Sequence, residues 1–160
     1  MKNKNAYSLI ELLVVVALFA VLSVAVTQSL TRSLVTTRKS ESVIAVRENL
    51  DYAASVMERS LRNATEIQAC DANRIDYRDQ EAVLKYFECL DLGGADGRIE
   101  SDQGRITSDA VSVTACNFSC NLGSDTPAQV DINLSGQKAE VSTVDSSPVN
   151  ISTTVFLRVY

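Results

Sequence analysis

The chain has 160 residues, a formal net charge of −5 and no histidine. The lack of histidine removes the commonest general base and the commonest metal ligand, and no phosphate-binding loop or nucleophile-elbow motif occurs. The acidic balance, with no tryptophan and scattered basic residues, argues against direct nucleic-acid binding. Composition therefore predicts neither an enzyme nor a nucleic-acid-binding protein, and it indicates no cofactor and no metal.

Residues 8–26 form a nearly continuous apolar run, SLIELLVVVALFAVLSVAV, with one charged residue, Glu11. As a helix, the 18 residues from Leu9 to Val26 would extend about 27 Å, close to the roughly 30 Å hydrocarbon core of a bilayer. Lys2 and Lys4 precede it, so we expect the N-terminus in the cytoplasm and the bulk of the chain outside. A charge within a membrane segment costs roughly 2.5–3.5 kcal/mol on insertion scales, so we expect Glu11 to have a function and a partner.

Two ordinary explanations of the apolar run fit less well. A secretory signal has a shorter apolar core and a small-residue cleavage site on its far side, whereas residues 27–40 are polar and contain no helix breaker. A simple membrane anchor needs no glutamate and does not usually follow so short a polar leader. It is kept as the alternative.

The leader MKNKNA, the Ala6–Tyr7 bond, the aromatic Tyr7 and the glutamate at Glu11 together resemble the N-terminus of type IV pilins and pseudopilins. Ala6 stands where that family usually has Gly, and Tyr7 stands where it usually has Phe. The resemblance implies cleavage between Ala6 and Tyr7, followed by N-methylation of Tyr7. Glu11 would then pair with the Tyr7 amine of a neighbouring subunit. Such a buried ion pair would specify the register between subunits more reliably than it would stabilise their association.

The resemblance also implies partners and a location. The partners would be prepilin peptidase, other major and minor pilins or pseudopilins, and the inner-membrane assembly platform. The chain would first be a single-pass inner-membrane protein and then part of a periplasmic or extracellular filament.

One long helix is predicted from residue 7 to about residue 68. The first glycine is Gly93 and the first proline is Pro127, so no helix breaker interrupts this stretch. Its second half has apolar residues at alternating spacings of three and four, interrupted only by Ser60: Val43, Val46, Leu50, Ala53, Met57, Ser60, Ala64 and Ile67. Glu58 and Arg62, on the polar face, form a favourable i,i+4 pair. We therefore predict a leader (1–6), a transmembrane or filament-core helix (7–28) and its amphipathic continuation (29–69). A free-standing coiled coil is the alternative.

Residues 70–160 are predicted to form a β-rich globular domain, because the apolar period changes to two. The predicted strands are 74–77, 83–89, 105–107, 110–115, 129–134, 139–144 and 151–160, with Ser135-Gly136 as a hairpin turn and 93–97 as a loop. The fold class is therefore α+β, with a long N-terminal helix packed on a C-terminal antiparallel sheet, as in pilins.

Finer features resemble one subset of that family. Residues 57–67, MERSLRNATEI, and the C-terminal FLRVY are similar to PilW-like minor pilins and to the J-type minor pseudopilin of type II secretion. The resemblance implies a minor structural subunit that takes part in filament initiation or assembly. A major pilin, or an anchored extracytoplasmic binding domain that never enters a filament, is the alternative.

The four cysteines all lie beyond the membrane segment, and an even count in an exported domain suggests two disulfides. Three connectivities are possible for Cys70, Cys89, Cys116 and Cys120. We favour Cys70–Cys89 and Cys116–Cys120. A four-cysteine zinc site is disfavoured because Cys70 and Cys89 are too far apart for the close pairs of zinc ribbons, and free structural thiols are a third possibility.

An acidic cluster surrounds the glycine-rich loop 93–97, made of Asp91, Asp96, Glu100 and Asp102. The spacing does not match that of an EF-hand calcium loop. We expect a solvated acidic turn.

Overall fold

A single helix precedes all the strands in the computed structural model, which describes residues 9–123, 128–139 and 148–157. Helix α1 spans Leu9–Arg62, and eight strands follow within the described residues. The chain divides into two units, Met1–Ser40 and Glu41–Tyr160. The α+β class is confirmed.

In the first unit, the apolar side chains of α1 are exposed. The segment Leu9–Leu34 has a hydropathy of 2.9 and none of it is buried, so by length and composition it suffices to cross a membrane. The hydroxyls of Ser23, Thr27 and Thr31 each donate to the carbonyl four residues earlier, at 2.8, 2.8 and 2.9 Å. These bonds satisfy the hydroxyls within the helix, which suits an apolar environment.

In the second unit, α1 buries the stripe that its spacing predicts. Val46, Leu50, Ala53 and Met57 are buried, and the stripe then continues through Leu61 while Ser60 is only partly buried. This drift is expected, because a straight helix has 3.6 residues per turn and not the 3.5 of a strict heptad. Glu58 and Arg62 form the predicted pair at 3.8 Å.

The predicted end of the helix near residue 68 is wrong. The helix ends at Arg62, where the Asn63 and Ala64 amides donate to the Ser60 and Leu61 carbonyls in a tightened last turn. Residues Glu66–Asp71 form strand β1 instead. The β-branched Thr65 and Ile67 favour extended backbone, and pairing with the next strand overrides the helical spacing of Ala64 and Ile67.

Strand β1 begins a five-stranded antiparallel meander. The next strands are β2 (Arg74–Arg78), β3 (Leu84–Leu90), β4 (Arg98–Ser101) and β5 (Gly104–Arg105). The strands predicted at 74–77 and 83–89 are confirmed within one residue. The 105–107 prediction overlaps only the two-residue β5, and β1 and β4 were not predicted. The inner face contributes Ile75, Tyr77, Phe87 and Ile99 to the core, with the Tyr77 and Phe87 rings stacked at 5.4 Å.

The second sheet has three antiparallel strands: β6 (Val111–Asn121), β7 (Gln129–Lys138) and β8 (Val149–Phe156). The strands predicted at 110–115 and 129–134 are too short, because both continue. The described residues do not include the strand predicted at 139–144, apart from Ala139 just after β7. They also do not include the last three residues of the strand predicted at 151–160. Buried side chains of α1 and of both sheets form one hydrophobic core.

The hairpin turn predicted at Ser135-Gly136 is wrong, because both residues pair within β7 on either side. Gly136 has a packing reason to be glycine. A Cβ atom there would lie 3.2 Å from Leu50 Cδ1 on α1 and 3.2 Å from the Ser112 carbonyl oxygen. The missing side chain therefore lets the helix approach the sheet closely.

Strand β6 connects the two sheets through its backbone. The Val113 amide donates to the Gly97 carbonyl, and the Phe118 amide donates to the Ala72 carbonyl, both at 2.8 Å. Gly97 is essential to this approach, since a Cβ atom there would lie 2.1 Å from the Val113 oxygen.

The predicted disulfide pairing is wrong. The bonds are Cys70–Cys120 and Cys89–Cys116, each with a Cα–Cα distance of 6.3 Å. Cys116 and Cys120 both lie in β6, where four residues of extended chain separate their Cα atoms by roughly 13 Å, well beyond the roughly 7 Å that a disulfide can span. Each cysteine of β6 is bonded instead to a strand of the five-stranded sheet, β1 or β3.

We predict that Cys70→Ala with Cys120→Ala lowers the free energy of unfolding by about 4 kcal/mol, the chain-entropy value for a sequence separation of 50. Urea unfolding of the oxidised protein measures this loss.

Non-reducing peptide mapping of the unmodified protein should recover the Cys70–Cys120 and Cys89–Cys116 peptides. A Cys116–Cys120 peptide would contradict the fold of β6.

Candidate functional site: the N-terminal motif

Glu11 lies in the first turn of α1. Its apolar neighbours Leu9, Ile10, Leu12 and Leu13 are all exposed. The helix N-terminus carries partial positive charge, which favours a carboxylate there. No ion pair among the described residues includes Glu11. Ala6 and Tyr7 lie outside the described residues, so the cleavage bond and the pairing amine stay predictions.

A second polar region is a cleft of about 280 Å³ between the end of α1 and the β2–β3 hairpin, lined by Ser60, Asn63, Tyr77, Asp79, Gln80, Glu81 and Lys85. Its acceptor is Asp79, which takes hydrogen bonds from the Glu81 amide at 2.9 Å and the Val83 amide at 3.0 Å. Lys85 Nζ lies 3.1 Å from the same carboxylate. These contacts organise the hairpin.

The electrostatics of the cleft follow from those contacts. The Val83 N–H, together with Lys85, lowers the pKa of the Asp79 carboxyl, and the hydrogen bond to Asp79 raises the pKa of Lys85. Burial raises the pKa of the Tyr77 phenol. Asp79 and Lys85 therefore pair with each other, and their charges in the cleft have a structural explanation.

The acidic turn is also internally paired. The Arg98 guanidinium donates to Asp91 and to Glu100, so these two carboxylates share one cation. Among the described residues, no group of histidine, cysteine, aspartate and glutamate side chains is arranged to hold a metal ion.

Two polar contacts that α1 makes with the β-rich part of the domain were not predicted from the sequence. The Ser108 amide donates to Asn49 Oδ1 at 3.2 Å, and the Thr153 hydroxyl of β8 donates to Glu58. Both helix residues have the spacing of a solvent-facing polar stripe, so sequence periodicity carries no signal for them.

Comparison with known proteins identifies the N-terminal motif. Residues 1–27 match the family model described as the prokaryotic N-terminal methylation motif. No curated protein and no solved structure gives a significant match to the chain. The motif supports the type IV pilin-like or pseudopilin family, and it indicates a protein processed by prepilin peptidase and assembled with other pilins.

The motif and the apolar helix together are consistent with an inner-membrane-anchored protein. The motif suggests a structural role rather than an enzymatic one. The chain therefore combines an N-terminal methylation motif of the pilin type with an α+β domain that contains two disulfides.

We predict that Asp79→Asn makes the stability of the protein less dependent on pH in acid. The folded-state pKa of Asp79 is lowered, so its stabilisation is present above the unfolded-state pKa of about 3.9 and is lost as pH falls through the folded value. Urea unfolding between neutral pH and about pH 2.5 should therefore show a shallower acid slope for the variant. Glu81→Gln, which removes a different carboxylate from the same hairpin, is the matched control. Equal slopes for Asp79→Asn and the unmodified protein would contradict the lowered pKa of the Asp79 carboxyl.

Proposed function

We propose that this chain is a minor pilin or pseudopilin that enters a type IV pilus-like or type II secretion filament, or the complex that initiates it. One observation carries the proposal. The methylation motif at residues 1–27 overlaps the stretch Leu9–Leu34, in which none of the apolar side chains is buried among the described residues. Apolar surface of this extent needs lipid or other subunits around it.

Processing would create the partner that Glu11 lacks. Cleavage between Ala6 and Tyr7 frees an amine on Tyr7, which stays cationic after methylation. Within an apolar bundle of helices, that cation and the Glu11 carboxylate of a neighbouring subunit compensate each other. Because a buried pair is costly when incomplete, it selects the axial register in which both charges meet.

The uninterrupted helix favours a minor subunit. Many major pilins have glycine or proline in the membrane half of the helix, which lets it melt locally on assembly. Here α1 is continuous over Leu9–Arg62, and the first glycine is Gly93. The similarity of residues 57–67 and the C-terminus to PilW-like and J-type minor subunits supports the same choice.

We predict that Glu11→Ala reduces the amount of the chain in the filament fraction at least tenfold, because it leaves the Tyr7 amine of the neighbour uncompensated in an apolar environment. Removing one partner of a buried pair costs roughly 3–5 kcal/mol, so a tenfold loss is a lower bound. Quantitative immunoblotting of sheared filaments and of membranes measures the partition.

Glu41→Ala is the matched control, since it removes an exposed carboxylate from the same helix outside the apolar stretch. Equal near-UV circular dichroism of both variants would show that the domain is intact. Normal incorporation of Glu11→Ala would refute the pairing. Processed wild-type chain found only in membranes would instead favour the anchored binding domain.

A further inference from the structure

Strand β8 is an edge strand without the features that usually protect an edge. Among the described residues it pairs only with β7, and no backbone hydrogen bond reaches its other side. An exposed edge offers unpaired N–H and C=O groups to any extended chain, and natural proteins block it with charge, proline, a bulge or a short strand. The segment VNISTTVF contains no charge and no proline, and its register with β7 has no shift.

The other edges of the described sheets are protected. Strand β1 has Glu66 and Asp71 at its ends, a register shift between Ile67 and Ala69, and a disulfide at Cys70. Strand β5 is only two residues long and includes a charge. Strand β6 has a register shift and is bonded to the five-stranded sheet by both disulfides. Strand β8 differs from all three.

The register identifies which backbone groups face outward. The Leu157 amide donates to the Ala128 carbonyl at 2.9 Å, so odd-numbered residues of β8 face β7. The alternate pairs are then non-hydrogen-bonded pairs, in which side chains lie closer. Two such pairs show this: Thr154 donates to Asp131 at 2.6 Å, and Ser135 donates to Asn150 at 2.7 Å. The outward groups therefore belong to Asn150, Ser152, Thr154 and Phe156.

The side chains of these four residues are exposed and uncharged. Phe156 is 57 % exposed, which is high for a phenylalanine in a strand. An arriving strand would meet hydroxyl, amide and aromatic groups, with no charge to repel it or to require a counter-charge. The chemistry therefore fits an extended segment of uncharged, β-branched residues.

A second copy anchored in the same membrane is a poor occupant. Antiparallel pairing of β8 with itself would place a two-fold axis perpendicular to the sheet. The part of α1 in the second unit packs on the inner face of this sheet, with Leu50 against Gly136 and Glu58 against Thr153. The axis would make this part of α1 run in opposite directions in the two copies, so the chain segments that must enter one membrane would leave the two domains in opposite directions.

We propose that the outer edge of β8 binds an extended, uncharged segment of a different polypeptide by β-strand addition. Backbone hydrogen bonds to Asn150, Ser152, Thr154 and Phe156 would supply the affinity. The proposal does not depend on entry into a filament, since an anchored domain would present the same edge.

The test uses the full chain in detergent micelles and a synthetic peptide of the β8 sequence, with lysines added at both ends for solubility. Amide exchange followed residue by residue by NMR should slow roughly tenfold or more at the four outward residues. Exchange at Ile151, Thr153 and Val155, which face β7, should stay unchanged. The same peptide with two internal prolines should have no effect.

Ser152→Pro supplies the matched variant, because the N–H it removes faces outward and is not part of the β7 ladder. It should abolish the protection, whereas Ser152→Ala, which keeps the N–H, should retain it. Unchanged exchange at the four residues with saturating peptide would overturn the proposal, as would equal binding by Ser152→Pro and Ser152→Ala. If Ser152→Pro disturbs the fold, the proline-containing peptide decides the matter, since protection by that peptide also contradicts strand addition.

Discussion

The fold of the second unit depends on the links that strand β6 makes to the five-stranded sheet. The two cysteines of β6 are bonded to β1 and β3, and its Val113 and Phe118 amides donate to residues of the five-stranded sheet's connections. A three-stranded sheet is near the lower limit of independent stability, so these links make one domain of two small sheets. Because such disulfides persist in oxidising compartments, the domain is suited to the outside of the cytoplasm, where the leader lysines also predict it to lie.

Helix α1 meets two different demands along its length. Between Leu9 and Val26 it presents apolar side chains on every face, and the hydroxyls of Ser23, Thr27 and Thr31 donate to its own carbonyls. In the second unit it is amphipathic, with Leu50 and Met57 fully buried and Arg47 and Asp51 paired at the surface. Glu11 is the exception in the first stretch. Its charge has a physical explanation if a cation arrives from another subunit.

Periodicity predicted the features that are local in sequence. The apolar run, the stripe through Val46, Leu50, Ala53 and Met57, and the alternation of Val130, Ile132 and Leu134 all correspond to observed elements. The failures depend on contacts between distant residues. Glycine is common in turns, but Gly136 lies within a strand, where α1 crosses β7. The cysteine pairing depends on how far β6 continues as a strand, which the sequence around Asn117 does not reveal. Likewise, the N-terminal motif was predictable because it is a contiguous signal, whereas the open edge of β8 depends on sheet order.

The intact mass of the protein purified from its native membrane tests whether the chain is matured as a pilin-like subunit. Maturation predicts a chain that begins at Tyr7, lacks residues 1–6 and carries one methyl group on the new amine. A chain that retains Met1 and the leader would contradict it, because the cation proposed to pair with Glu11 would then never form.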